Sequence, residues 1–219
     1  MHNPQNNREV LAEVLQLGIA QMGLMVSRDT QMKLLDYLAL LVKWNNVYNL
    51  TAIRDPRQMV IHHLLDSLAV LPHIKRGHWL DVGSGAGMPG LILAIAQPDW
   101  PVTLLDSNSK KTGFLQQAVI ELGLSNVQVR CARAEEFQTT DKYDGIISRA
   151  FTELGDFLRI TRHLIAIDGQ WVAMTGLPEQ ELAGVPDDCL IEKIITLSVP
   201  TLDAARCLVI AKPREEAAA

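Results

Sequence analysis

The sequence predicts an α/β protein built on a doubly wound, mostly parallel sheet, with helices alone at its N-terminus. Apolar residues recur at helical spacing before Trp79, whereas after it short apolar runs alternate with helical patterns. Strands that alternate with helices are typical of a parallel sheet. The last two apolar runs, IEKIITLSVP and RCLVIAKP, are separated only by TLDAA. They predict a hairpin that adds an antiparallel strand to the sheet.

Three helices are predicted before the sheet. The first covers REVLAEVLQLGIAQMG, and the second covers MKLLDYLALLVKWNNVY after a cap at Ser27 or Asp29. Asp55-Pro56 is typical of a helix start and predicts a third helix over RQMVIHHLLDSLAVL. The apolar stripes of these helices indicate that residues 1–76 form a helical cap, packed on a main domain of residues 77–219.

After the helical cap, where strand and helix patterns alternate, the sequence predicts five strands before the hairpin. They are HWLDV, WPVTLLD, NVQVRCA, YDGIISRAF and QWVAMTG. A helix through TELGDFLRITRHLI comes before the fifth strand, and a turn at Asp168-Gly169 separates that helix from the strand.

The composition is that of an ordinary soluble protein. The chain is 48% hydrophobic and 21% charged, and its formal net charge of −5 disfavours a non-specific polyanion binder. No apolar run approaches the roughly 20 residues that cross a bilayer, and no signal peptide is recognisable. The 3 cysteines are widely spaced and form no CxxC pair. They predict reduced thiols, a cytoplasmic location and no metal site.

Charge is unevenly distributed along the chain. Residues 1–80 hold 8 Lys or Arg against 6 Asp or Glu, and residues 81–219 hold 12 against 19. Contact with an anionic partner is therefore expected at a local patch. Charge alone leaves open the alternative of a random imbalance on a solvated surface.

The stretch WLDVGSGAGMPGLILAIA carries four glycines in a short span, Gly83, Gly85, Gly87 and Gly90. Each glycine costs conformational entropy on folding, so such a cluster indicates tight backbone geometry or close approach to a ligand. An apolar strand precedes the cluster and an apolar helix follows it. Strand, glycine loop and helix open a nucleotide-binding βαβ unit, although a tight turn without a ligand stays open at this point.

Carboxylates around this loop favour S-adenosylmethionine over NAD. Asp106 ends the second predicted strand, where it can accept hydrogen bonds from both hydroxyls of a ribose. Asp81 gives the spacing D-x-G-x-G-x-G, and its charge suits an ammonium and a sulfonium better than a pyrophosphate. The segment ARAEEF places Ala134 and Glu135 where a loop flanks an adenine. With the antiparallel ending, these features predict a class I S-adenosylmethionine methyltransferase fold.

The end of the fourth strand limits the group that is methylated. It reads SRAF, without the (N/D)PP(Y/F) motif of adenine and cytosine amino methyltransferases. None of the cysteines follows a proline, which disfavours the covalent route of cytosine C5 enzymes. The remaining acceptor is one that needs neither a base nor a covalent step. Guanine N7 is such an atom, because its lone pair is free and it carries no proton.

These motifs resemble the RsmG (GidB) family, the guanine-N7 methyltransferases of small-subunit ribosomal RNA. The resemblance covers most of positions 43–212 and is carried by KWNNVYNLTAIRDPRQMVIHHLLDSL, LDVGSGAGMPGLILAI, TLLDSNSKKTGFL, ARAEEF, DGIISRAF and VPTLDAARCLVIAK. It implies methyl transfer from S-adenosylmethionine to 16S ribosomal RNA within the small ribosomal subunit. We expect a monomer that acts without a metal or a membrane.

The resemblance also implies the roles of several site residues. Gly83 and Met88 match cofactor contacts in the glycine loop, Ala134 and Glu135 match adenine contacts, and Arg149 in SRAF matches a further binding-site residue. Physical arguments add the remaining loop glycines and both carboxylates. The expected cofactor-binding set is Asp81, Gly83, Gly85, Gly87, Met88, Asp106, Ala134, Glu135 and Arg149.

Arginines are expected to contact the RNA. Arg133, Arg149 and Arg206 are the cationic residues expected nearest the cleft, where they suit phosphates or the O6 acceptor of guanine. Arg149, at the carboxyl end of a strand, is expected to act in catalysis by orienting guanine or cofactor.

The helical cap contributes a further group to the resemblance, Asn49, Arg54, His62 and Asp66. The resemblance leaves open whether this group contacts RNA or braces the cap against the sheet. Arg54 is expected to contact RNA. Asp66 has apolar neighbours in sequence and is expected to brace the cap against the sheet instead.

Three other functions remain compatible with the residues. A small-molecule methyltransferase would have a closed pocket under the cap, and a sensor of S-adenosylmethionine would bind without turnover. An NAD-dependent oxidoreductase is disfavoured by the glycine spacing. Fold alone does not rank these functions.

Overall fold

The computed structural model describes residues 4–149, 152–176 and 182–214. Its N-terminal part is helical, as predicted. Helix α1 covers Pro4–Gln21 and helix α2 covers Arg28–Tyr48. Helix α3 (Pro56–Met59) continues directly into a π-helical segment (Val60–Leu65) and then into helix α4 (Asp66–Leu68), which is followed by a 3-10 turn (Leu71–His73).

Both predicted helix starts in the cap are confirmed. The Ser27 hydroxyl accepts a hydrogen bond from the backbone N–H of Thr30 at 3.1 Å. The Asp55 carboxylate accepts one from the backbone N–H of Arg57 at 3.0 Å, and Pro56 occupies the first helical position. These bonds satisfy backbone donors that a helix N-terminus leaves free.

The main domain is a seven-stranded sheet of order β3-β2-β1-β4-β5-β7-β6. Strands β1 to β5 are parallel, and β7 lies antiparallel between β5 and β6, which confirms the predicted hairpin. The strands are β1 (Trp79–Val82), β2 (Val102–Asp106), β3 (Val127–Cys131), β4 (Tyr143–Arg149), β5 (Ile165–Thr175), β6 (Cys189–Thr196) and β7 (Cys207–Pro213). The helices are α5 (Gly90–Ala96), α6 (Ser109–Glu121) and α7 (Leu154–Thr161), with a 3-10 turn at Leu182–Gly184.

The predicted boundary between the last helix and the fifth strand is wrong. Helix α7 ends at Thr161, and β5 begins at Ile165 and runs through Asp168-Gly169 without a break. The pairing register between β4 and β5 shifts between Tyr143 and Gly145. This irregularity accommodates the polar Asp-Gly pair inside a long strand, where the sequence pattern predicts a turn.

One hydrophobic core joins the cap to the sheet. Leu38 and Leu41 of α2 belong to the same buried cluster as Leu91 of α5 and Leu104 of β2. The buried hydroxyl of Tyr37 donates a hydrogen bond to the carbonyl oxygen of Ala86 at 2.7 Å. The cap is therefore anchored directly on the loop that follows β1.

The strand order places a topological switch point between β1 and β4. On one side of it the chain proceeds to β2 and β3, and on the other side to β5. Ligands of open α/β sheets bind in the crevice outside the carboxyl ends of the strands at such a point. No helix in the described ranges is both long and apolar enough to cross a membrane.

Candidate active site

Backbone geometry explains the glycine cluster. Gly83, Gly85 and Gly87 have φ values of 69°, 57° and 101°, in the left-handed region that side chains disfavour. Gly90 serves close packing instead. A Cβ atom there would lie 2.5 Å from the Cβ atom of Asp81. The loop therefore turns sharply after β1 and brings the start of α5 against that strand.

Asp81 is fully buried beneath the loop. Its Oδ2 atom accepts a hydrogen bond from the backbone N–H of Gly90 at 2.8 Å. Its Oδ1 atom has no hydrogen-bond partner among the described residues. Burial raises the pKa of Asp81 to about 7, although the Gly90 N–H and the Arg149 guanidinium both oppose the shift.

The first of two cavities, the Asp106 cavity, has a volume of about 270 Å³ and lies at the carboxyl ends of β1, β2 and β3. Asp106 accepts hydrogen bonds from the backbone N–H groups of Gly85 at 2.9 Å and Asn108 at 2.8 Å. A carboxylate has further lone pairs, so it can still accept from a ligand. The cavity is lined by Val82, Gly83, Leu105, Asp106, Ser107, Lys111, Ala132, Arg133, Ala134 and Glu135.

The second cavity, the arginine cavity, has a volume of about 480 Å³ and lies at the carboxyl ends of β4 and β5. Two guanidinium groups, those of Arg149 and Arg206, contribute to its wall. Arg206 is the residue directly before β7. The lining residues are Ser148, Arg149, Thr152, Leu154, Phe157, Ala173, Met174, Thr175, Gly176 and Arg206.

A buried carboxylate of the cap holds both arginines. Asp66 has no exposed surface, and its two oxygens bind different guanidinium groups. Oδ2 lies 3.1 Å from Nη1 of Arg149, and Oδ1 lies 3.2 Å from Nε of Arg206. Asp66 thus braces the cap against two separate segments of the main domain, as predicted.

Arg149 makes two further contacts that fix its position. Nη1 donates to the backbone carbonyl of His62 at 2.9 Å, and Nη2 lies 3.4 Å from the sulfur of Met88. The arginine therefore touches the cap helix and the glycine loop together. Its side chain is still 22% exposed, so a bound ligand can reach it.

All predicted site residues except Arg54 lie in three places. Gly83, Asp106, Arg133, Ala134 and Glu135 meet at the Asp106 cavity, whereas Arg149 and Arg206 meet at the arginine cavity. Asp81 in β1 and three residues of the loop after it, Gly85, Gly87 and Met88, line neither cavity.

Arg54 lies apart from both cavities. Its guanidinium donates to the backbone carbonyl of Asn45 at 3.2 Å and to the side chain of Asn49 at 2.7 Å. Asn49 adopts a left-handed φ of 50° just after α2. Arg54 therefore caps the C-terminus of α2, where a cation complements the helix dipole.

Sequence reasoning missed several lining residues. Lys111 lines the Asp106 cavity and lies 3.9 Å from Asp106. Its position two residues after the start of α6 is a signal that could have identified it. Phe157 lines the arginine cavity from α7, and its pattern in sequence is that of an ordinary core residue.

A glycine loop after β1, an acidic residue at the end of β2 and one antiparallel strand near the edge of a parallel sheet define a class I methyltransferase. Solved structures of low sequence identity share this fold. TrmN from Thermus thermophilus superposes with a TM-score of 0.57 at 19% identity, covering 68% of this chain and 48% of that one. A coclaurine N-methyltransferase bound to N-methylheliamine and SAH gives 0.53 at 16% identity, covering 90% and 74%.

The chain belongs to the family of rRNA small subunit methyltransferase G, whose model matches residues 30–209. Curated relatives carry the name ribosomal RNA small subunit methyltransferase G. The protein of Laribacter hongkongensis is 53% identical over 91% of this chain and 97% of its own length. That of Chromobacterium violaceum is 54% identical over 89% and 94%. The protein is thus a methyltransferase, and the alternative of an NAD-dependent oxidoreductase is excluded.

Proposed function

We propose that the protein transfers a methyl group from S-adenosylmethionine to N7 of a specific guanine in the 16S RNA of the small ribosomal subunit. The observation that carries the proposal is a pair of cavities on either side of the switch point. One is lined by the carboxylates of Asp106 and Glu135 together with two cations, and the other is lined, among the described residues, by two guanidinium groups without a carboxylate. The names of the relatives supply the class of substrate, ribosomal RNA of the small subunit.

The Asp106 cavity fits the nucleoside end of the cofactor. Asp106 would accept hydrogen bonds from the ribose hydroxyls, and Ala134 and Glu135 would flank the adenine and accept from its amino group. Gly85 leaves the approach open, because a Cβ atom there would meet only the carbonyl oxygen of Gly83, at 3.8 Å. The unpaired Oδ1 atom of Asp81 lies under the same loop, where its charge would favour a cationic methionine end.

When bound, S-adenosylmethionine supplies an electrophilic methyl group on a sulfonium. Guanine N7 attacks with its own lone pair, so no residue of the chain has to remove a proton. What the protein must supply is alignment of the acceptor and exclusion of water. Arg149 and Arg206 suit this task, since a guanidinium that donates to guanine O6 orients the base and can leave N7 free.

Asp66 makes a cationic cavity compatible with a cationic product. Methylation at N7 leaves a positive charge on guanine, which two unpaired guanidinium groups would repel. Both groups share the buried carboxylate of Asp66. We infer that Asp66 both positions the arginines and lowers the local potential that the product meets.

A cation at the rim of the Asp106 cavity would contact the RNA backbone. Arg133 lines the Asp106 cavity and forms no ion pair within the described residues, so it can bind a phosphate at the rim. Because the net charge of the chain is −5, a ribosomal particle is a more suitable substrate than naked RNA. In a particle, shape and proteins contribute to docking.

The test is methyl transfer from labelled S-adenosylmethionine to small ribosomal subunits that lack the modification. Nucleoside digestion of the RNA identifies the product. We expect label in 7-methylguanosine of 16S RNA. Label in another nucleoside would contradict the acceptor, and label in a small molecule would support a small-molecule methyltransferase. Cofactor binding without any transfer would indicate a sensor.

A further inference from the structure

An exposed aromatic ring lies at the C-terminal end of α2, outside both cavities. Tyr48 is 42% exposed, and its ring stacks on that of Trp44 with centroids 5.3 Å apart and an angle of 28° between the planes. Trp44 packs in turn against Phe114 of α6, with centroids 5.7 Å apart. The ring of Tyr48 is thus held on one side by a packed aromatic chain, while a large part of its surface meets solvent.

The aromatic chain connects this ring to the helix that contributes to the Asp106 cavity. Phe114 of α6 contacts both Tyr37 and Trp44 of α2. Phe114 lies one helical turn after Lys111, and Lys111 lines the cavity. The ring of Tyr48 is therefore linked to the first turns of α6 through Trp44 and Phe114.

Cations lie on both helices that the aromatic chain connects. Arg54 binds the C-terminus of α2 through its hydrogen bonds to Asn45 and Asn49. Lys110 and Lys111 belong to the first turn of α6. Neither Arg54 nor Lys110 forms an ion pair within the described parts of the chain, so both charges remain available to an anionic partner.

An exposed aromatic ring, with cations on the same two helices that form no ion pair within the described residues, matches the chemistry that binds single-stranded nucleic acid. Bases stack on aromatic side chains in this mode, and cations follow the backbone. A membrane surface or an acidic peptide would use the cations, but neither needs a flat ring held by stacking. We call the set Tyr48, Arg54 and Lys110 the Tyr48 platform.

We propose that the Tyr48 platform binds a single-stranded segment of the substrate RNA next to the target guanine, with one base stacked on Tyr48. The inference rests on the proposed function and adds a second RNA contact away from the reacting base. Such a contact acts on substrate affinity and leaves the cofactor site unchanged.

The test compares three variants in steady-state methyl transfer to small subunits that lack the modification. Tyr48→Ala is expected to raise KM for the subunit about tenfold, since loss of one stacked base has an effect of that order. Tyr48→Phe keeps the stacking face and is expected to stay within about twofold of wild type. Val47→Ala is the matched control, because Val47 is 69% exposed and adjacent but lacks a ring. The Kd for S-adenosylmethionine should be the same in all three.

A charge variant adds a second readout. Lys110→Gln is expected to reduce the slope of log KM against log salt by about 0.7, the change for one contact to a single-stranded phosphate. An unchanged KM in Tyr48→Ala, or a loss in Tyr48→Phe equal to that in Tyr48→Ala, would overturn the proposal. Wild-type transfer in the same assay tests the proposed function separately, so its absence and failure of the platform are distinguishable.

Photochemical crosslinking identifies the partner. With p-benzoylphenylalanine in place of Tyr48, illumination of the complex with the subunit is expected to link position 48 to 16S RNA. A crosslink to a ribosomal protein alone, or none to the subunit, would contradict an RNA platform. A crosslink to RNA that lies far from the methylated guanine in the subunit would contradict the proposed position of the Tyr48 platform.

Discussion

The two cavities at the carboxyl edge of the sheet are built in different ways. The Asp106 cavity is lined by the ends of three successive parallel strands and the residues that directly follow them. The arginine cavity depends on Asp66, Arg149 and Arg206, which come from three distant segments and meet through ion pairs. The first is a product of local backbone geometry, whereas the two arginines of the second are held by a carboxylate of the docked cap. We therefore expect substitutions in the cofactor site and in the acceptor site to have different effects.

Loss of Arg149 should have the largest effect on activity. Arg149→Ala removes a guanidinium from the cavity wall and its contacts to Asp66, His62 and Met88. We expect kcat/KM for methyl transfer to fall about 100-fold or more, as for loss of one preorganised donor in other enzymes. The free energy of unfolding should also fall, by about 2 kcal/mol, because Asp66 keeps only one partner.

A double variant separates the loss of activity from the loss of stability. In Asp66→Asn with Arg149→Gln, no buried carboxylate is left short of a partner, so the free energy of unfolding should recover most of that loss. Activity should stay as low as in Arg149→Ala. If activity returned along with stability, Arg149 would have only a structural role.

A methyl group at Gly90 should destabilise the packing of α5 against β1, next to the Asp106 cavity. In Gly90→Ala the new Cβ atom would lie 2.5 Å from the Cβ atom of Asp81 and 2.6 Å from Cδ2 of Leu104. We expect the free energy of unfolding to fall by about 2 kcal/mol in a denaturant titration. Gly113→Ala is the control, because a Cβ atom there meets nothing within 4 Å. Inside helix α6 it should stabilise the protein by about 0.5 to 1 kcal/mol.

Asp106 should act on the cofactor, and Asp106→Asn also removes the acceptor of one backbone N–H group, that of Gly85 or Asn108. Asp106→Asn keeps the shape and an acceptor oxygen but loses the charge and one of the two acceptor oxygens. We expect the Kd for S-adenosylmethionine in calorimetry to rise about tenfold. Asp99→Asn changes an exposed aspartate outside the cavity and should leave the Kd unchanged. Equal affinity in Asp106→Asn and wild type would remove Asp106 from the cofactor site.

Asp81 should give an effect that appears only when the pH is varied, a pH dependence of stability. Its pKa is raised to about 7 in the folded protein from 3.8, so between about pH 4 and pH 7 the folded chain holds a proton that the unfolded chain has lost. Stability from this group is therefore greatest at acid pH and falls as the pH rises to 7, by about 1 kcal/mol per unit. Asp81→Asn should lack this component. Equal slopes of unfolding free energy against pH in Asp81→Asn and in the wild type would contradict a pKa shift of Asp81 caused by burial.

Local patterns predicted the Asp106 cavity well because each of its features is encoded over a few residues. Positive φ at Gly83, Gly85 and Gly87, and a carboxylate at the end of β2, follow from the order of strand, loop and helix. The long strand β5 was mispredicted for the same reason, since an Asp-Gly pair has a strong local turn preference that sheet pairing overrides.

The arginine cavity could not be derived from spacing. Arg149 and Arg206 are 57 positions apart in the numbering, and nothing in either segment specifies that both bind Asp66. Family resemblance pointed to the motifs, and apolar neighbours suggested a bracing role for Asp66. The shared carboxylate itself depends on how the cap docks, which periodicity does not specify.

The central claim is that the two cavities divide the labour between cofactor and acceptor. The most direct test measures the Kd for S-adenosylmethionine and the KM for unmodified small subunits in Arg206→Gln and Asp106→Asn side by side. We predict that Arg206→Gln raises the KM and leaves the Kd at the wild-type value, while Asp106→Asn raises the Kd. A rise in Kd in Arg206→Gln as large as that in Asp106→Asn would contradict the division.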